Sequence, residues 1–162
     1  MKNRAYIMTH HRIIEAVGLA MTLAGLIVGI VFAVTATGDV PIHFGLNGEV
    51  DKWGSAWEGI SLPIILFITN IGMSLMIRFV PLEHWNMPCN VTENNAPVLY
   101  RNVLNMVVLM ILCFGLMSLL GTVFMYKARN LMGPAIVGAC ALMMVITTYY
   151  LIKCVIDSKR YV

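Results

Sequence analysis

Four apolar runs, residues 13–37, 60–80, 103–126 and 132–152, are each long enough to cross a bilayer, which takes about 20 residues of helix. No other feature of the 162-residue chain limits its fold as strongly. In lipid, every backbone N–H and C=O must be satisfied within its own segment, so single runs of this length are helices. Charged residues make up 12% of the chain, about half the share found in soluble domains. That is too little polar surface to cover a water-soluble globule. The expected fold is an all-α integral membrane protein, one domain over residues 1–162. It has four transmembrane helices and a short extracytoplasmic hairpin-like loop, residues 38–59, between the first two. Pro63 and Pro134 fall in first helical turns, where a missing N–H is tolerated. Pro41 and Pro81 lie just outside spans, as helix stops.

Lys2, Arg4 and Arg12 give the first run a positive front, and Val34-Thr35-Ala36 resembles a cleavage site. The apolar part nevertheless exceeds the 7–15 residues of a signal core, which favours a retained span. Orientation follows from Lys and Arg near the span ends. Lys2, Arg4, Arg12, Arg78, Arg101, Lys153, Lys159 and Arg160 share one side, against Lys52, Lys127 and Arg129 on the other. The expectation is a multi-pass plasma-membrane protein with both termini in the cytoplasm. The bilayer is its first partner. Net charge is +3 and the basic residues are scattered, so direct nucleic-acid binding is not expected.

Within the spans, Gly25 and Gly29 form a small-xxx-small pair, and Gly18 lies on a similar face. Such residues let membrane helices approach closely. An intramolecular partner is the plainer reading, and an oligomer stays open. Glu15 is a functional candidate, since an acid at membrane depth is costly. Arg12 three residues earlier offers it a local ion pair at the membrane edge. Asn70, Asn102 and Asn105 are expected to hydrogen-bond between helices. Asn90-Val91-Thr92 matches a glycosylation sequon on the cytoplasmic side, a chance match.

Catalytic and cofactor signals are weak. Cys89, Cys113, Cys140 and Cys154 show no metal-ligand spacing. Met106 and Met110 stand one helical turn apart without a converging His or Cys, so they read as packing rather than copper ligands. No Ser/His/Asp or Cys/His constellation is evident. The chain reads as a non-enzyme without a cofactor.

The segment at residues 41–55, PIHFGLNGEVDKWGS, stands apart from its oily surroundings. Asn47-Gly48 is a strong hairpin signal, a type I′ turn. Its strands are then 42–46 and 49–53, with Leu46 facing Glu49, Phe44 facing Asp51 and His43 facing Lys52. In that regular register His43 and Asp51 point to opposite faces. A His–Asp pair or a shared metal requires a bulge, which Gly45 and Gly54 permit. An isolated hairpin is marginal in water, so it is expected to lie as a lid on the helix ends, with Trp53 and Trp57 at headgroup level. Asp39, Glu49, Asp51 and Glu58 against Lys52 make it net negative and suited to a cationic visitor such as a basic peptide.

The order Pro41-x-His43-Phe44, then Gly48-x-x-Asp51, then Trp53-Gly54-Ser55 resembles the signature of a bacterial membrane-domain family of otherwise unknown function. That domain is found in SdpI-like proteins, the immunity proteins for the sporulation-delaying toxin. The likeness covers roughly residues 13–80 and loosens beyond them. It implies protection against a membrane-active peptide toxin at the outer face. It further implies signalling that holds a transcriptional repressor on the cytoplasmic face. By position the family-like residues are Pro41, His43, Phe44, Gly48, Asp51 and Gly54. Gly45 stands where the family often has Asn, and the larger immunity proteins have more spans. Two alternatives remain: a small proton-coupled transporter working through Glu15, and a metal-dependent membrane enzyme using His43.

Overall fold

The computed structural model describes residues 2–45, 47–127 and 130–161. Four helices are long and apolar enough to cross a membrane, joined by a single two-stranded sheet among the described residues. Helix α1 (Thr9–Thr35) leads into strands β1 (Val40–Phe44) and β2 (Val50–Gly54), then α2 (Ser61–Phe79). Helix α3 (Ala96–Leu116) continues through a π-helical segment, Met117–Gly121, into α4 (Thr122–Tyr126). These three form one 31-residue apolar span. Helix α5 (Met132–Arg160) closes the chain. The protein is thus a mostly helical, multi-pass membrane protein.

Helices outrun the hydropathy most at two places. α3 begins at Ala96 rather than near residue 103. Thr92 and Asn95 exchange backbone-to-side-chain hydrogen bonds of 2.8 and 3.3 Å, and Pro97 follows in the first turn. A tight polar turn before an early proline starts a helix irrespective of lipid. α5 runs on to Arg160 past residue 152, because its last turns pack on α3 and need no lipid.

The central packing is α1 against α3, and the two helices meet through opposite kinds of surface. The buried face of α1 is His11, Glu15, Gly18, Thr22, Gly25, Gly29 and Ala33. It is small and polar, while Ile13, Ile27, Val31 and Val34 face outward. The buried face of α3 carries Leu99, Val103, Leu104, Val108 and Ile111. Lipid tails are as apolar as leucine, so this inversion costs α1 nothing. A Cβ placed on Gly18 would stand 2.8 Å from the Ile111 carbonyl oxygen. One on Gly25 would overlap Ser118. Close contact here is therefore within one chain.

Polar side chains then join the three helices at mid-span. Asn70 Nδ2 donates to Thr22 Oγ1 at 2.6 Å and to the Ile111 carbonyl at 3.0 Å. Ser118, in the π segment, donates to the Thr22 carbonyl at 3.2 Å. α5 is attached differently. Its buried residues are Met132 and Gly133 at one end and Cys154 and Asp157 at the other. Its middle faces outward.

Candidate functional site

The hairpin sits at the end of the bundle remote from the chain termini. Its register departs from a regular ladder. Val40 pairs with Gly54, Pro41 with Trp53, His43 with Lys52 and Phe44 with Val50. Ile42 and Asp51 are therefore each an extra residue, one bulge in each strand. The expected Phe44–Asp51 pairing is corrected, whereas His43 does oppose Lys52. The expected two-residue turn is also replaced. Gly48 N–H donates to the Gly45 carbonyl at 2.9 Å, and Gly45 N–H to the Glu49 carbonyl at 2.9 Å. Gly48 has φ 85°, the left-handed glycine that closes a longer hairpin connection. Asn47 supports it, accepting from Glu49 N–H at 3.2 Å and donating to Glu49 Oε2 at 2.8 Å. The Leu46–Glu49 pairing and Arg129 lie outside the described residues.

The bulge at Asp51 has a chemical consequence. It moves the carboxylate round to His43, with Nδ1 and Oδ1 2.5 Å apart. A carboxylate only accepts, so Nδ1 carries the proton and Nε2 is left as the free ring nitrogen. Both side chains are exposed, by 67% for His43 and 50% for Asp51. Asp39, Asn47, Glu49, Lys52, Trp53 and Trp57 of the same loop are exposed as well. Pro41 and Gly48 are instead buried, and Phe44 and Gly54 half-buried. The signature residues thus separate into a docked floor and a presented pair. One His and one Asp supply two ligands. Among the described residues no group of three or more His, Cys, Asp or Glu gathers to hold a metal.

The floor is fixed to the helices. Val40, Ala56, Ile60 and Ala33 form a buried cluster with Tyr126 packed against it. Tyr126 Oη donates to the Ala56 carbonyl at 2.5 Å, and its ring stacks on Phe32 with centroids 4.9 Å apart. The hairpin tip meets the start of α5. A Cβ on Gly48 would overlap the Asn130 carbonyl, and one on Gly133 would lie 2.6 Å from the Gly45 carbonyl oxygen. Beside the strands, Phe32, Thr35, Asp39 and Tyr126 line a cleft of about 420 Å³.

The terminal end of the bundle holds a second constellation. Glu15 is buried and accepts hydrogen bonds from Ser74 and, at 3.1 Å, from Arg78 of α2. The expected Arg12 ion pair is not formed. Three residues along a helix turn a side chain about 60° off its neighbour's direction, and the inward direction of Glu15 meets α2. Arg12 lines the same cleft of about 430 Å³ as Glu15 and Arg78. Asn102 donates to Asp157 at 2.8 Å, and Lys153 approaches Asp157 at 3.2 Å. Asn105 Oδ1 lies 3.0 Å from His10 Nε2 and 2.9 Å from His11 Nε2. Met8 N–H donates to His11 Nδ1 at 3.0 Å, so His11 holds its proton on Nε2 and donates to Asn105.

Asn3 is a further connector. Its Nδ2 donates to the Ile77 and Val80 carbonyls at 2.8 and 2.7 Å, and its Oδ1 accepts from Leu82 N–H at 3.0 Å. Asn3, His11, Ser74 and Asp157 carry no motif. Their only sequence signal is that each is a polar residue on or beside an otherwise apolar segment.

The family model described as Domain of unknown function (DUF1648) matches residues 20–68. The match takes in most of α1, the whole hairpin and the first turns of α2, and so coincides with the docked loop. No curated protein and no solved structure matches the chain.

Proposed function

We propose that this protein is an SdpI-like membrane protein that confers immunity to, or senses, a membrane-active peptide toxin through its hairpin face. The observation that carries the reading is the exposed His43–Asp51 pair, created by a bulge inside the family-like loop. A solvent-facing pair on a docked hairpin supports a role in recognition over one in holding the fold. The exposed acids of the loop, Asp39, Glu49, Asp51 and Glu58 against Lys52, suit a cationic peptide. In this reading the hairpin lies outside the plasma membrane and both termini lie in the cytoplasm, where a repressor docks. An impermeant maleimide then misses Cys89 in intact cells and labels it after lysis. Labelling before lysis overturns the orientation.

The test is survival of a toxin-sensitive bacterium expressing the protein during challenge with a sporulation-delaying-type peptide. His43→Ala and Asp51→Ala run alongside at matched membrane levels. The expected result is protection by the parent and its loss in both variants. Equal protection by the variants removes the hairpin from the mechanism. No protection by a correctly inserted parent sinks immunity to this toxin.

A second reading, proton-coupled transport through Glu15, is favoured by one observation: this buried acid lines a cleft. It predicts that Glu15→Gln abolishes proton-coupled flux in proteoliposomes while His43→Ala leaves flux unchanged.

A further inference from the structure

The cleft beside Glu15 carries more positive charge than its ion pair uses. Arg78 and Glu15 offset one another at 3.1 Å, while Arg12 lines the same cavity and makes no ion pair among the described residues. One net positive charge remains. Arg12 stands in the first turn of α1 and Arg78 in the last turn of α2, so both lie where hydrocarbon gives way to headgroups. Arg12, Ala16 and Arg78 are exposed, which puts the mouth of the cleft on the surface between the two helices. Ile7, Leu19 and Ile77 make the remainder of the lining apolar.

We propose that this cleft binds a phosphate group, with Arg12 as the main donor and Arg78 as the second. A guanidinium offers a planar fork that matches two phosphate oxygens. Basic pockets between membrane helices near the interface are a recurrent way of holding acidic lipid headgroups. The charge balance selects among phosphates. A phosphodiester carries a single negative charge and neutralises the cleft. A free phosphate or monoester carries about −1.5 to −2 near neutral pH and would be repelled by the Glu15 carboxylate. An apolar wall continuing from the charged mouth along Ala16 and Leu19 also fits an acyl chain. The occupant is therefore the headgroup of a singly charged lipid, and Glu15 both orients Arg78 and sets that charge preference.

The experiment is native mass spectrometry of the full chain in detergent, titrated with phosphatidylglycerol or phosphatidylcholine at equal concentration. The parent should retain phosphatidylglycerol preferentially. Arg12→Gln should lower that preference about fivefold, the contribution of one basic residue near an anionic membrane surface. Lys159→Gln, which removes an exposed charge at the same end of the bundle, should leave it unchanged. Excess inorganic phosphate should fail to displace the lipid. An unchanged preference in Arg12→Gln, or an equal loss in Lys159→Gln, overturns the site. Displacement by inorganic phosphate would reassign it to free phosphate and overturn the lipid assignment.

Discussion

The two ends of this bundle use acid–base pairs in opposite ways. At the hairpin end, His43 and Asp51 meet at 2.5 Å with side chains 67% and 50% exposed. At the terminal end, Glu15 meets Arg78 with its own side chain only 8% exposed, and Ser74 holds the same oxygen. An exposed pair contributes little to stability, since water competes for both partners. A buried carboxylate left without partners is expensive. The terminal end is therefore tied by polar side chains added to the larger apolar cluster around Ile77, Leu82, Leu99 and Cys154. The hairpin end is tied by backbone fit and apolar packing, and leaves its charged pair unspent.

The largest effect that would sharpen this contrast is expected from Asn3→Ala. It leaves the Ile77 carbonyl and Leu82 N–H without their side-chain partner at the terminal end, while the Val80 carbonyl keeps Trp85 Nε1 at 3.2 Å. Stability should fall by about 2–3 kcal/mol, a typical cost for orphaned buried groups, read as unfolding in mixed micelles. A loss below about 0.5 kcal/mol would show that water replaces Asn3 freely. Next comes Gly48→Ala, which forces a left-handed backbone on alanine and a Cβ onto Asn130. About 1–2 kcal/mol is expected from the backbone alone, with protease sensitivity rising at the hairpin. No change would mean that the tip is not clamped against α5. Asn102→Leu should follow at about 1–2 kcal/mol through the lost bond to Asp157. The smallest effect belongs to Asp51→Asn, within about 0.5 kcal/mol of the parent as for exposed surface changes. A drop above 1 kcal/mol there would break the comparison, because the pair would then be structural.

Hydropathy alone places the four spans, since a membrane helix is recognised by an average over many residues. Their ends are less legible. Ala96–Asn102 and the last turns of α5 mix apolar side chains with charged and amide ones and pack partly on protein, and averaging hides them. The hairpin was readable from Asn47-Gly48, its register was not. Two bulges at Ile42 and Asp51 cannot be seen in a pairing rule that assumes strict alternation, yet they decide where His43 and Asp51 meet. The partner of Glu15 shows the same limit. Arg12 is near in sequence, whereas Arg78 is 63 positions away and reaches Glu15 only because α2 docks on α1.

The inverted face of α1 bears on the order of assembly. A ribosome delivers α1 before α2, and the helix is by itself long and apolar enough to cross the bilayer. At that moment Glu15 and Thr22 have no interhelical partners, because Ser74, Arg78 and Asn70 arrive with α2 and Ser118 only with the third span. Insertion and docking are therefore separate events, the second waiting on chain not yet made. During that interval α1 is a helix with an unanswered polar stripe, and the later helices are recruited to it by the groups it has kept open.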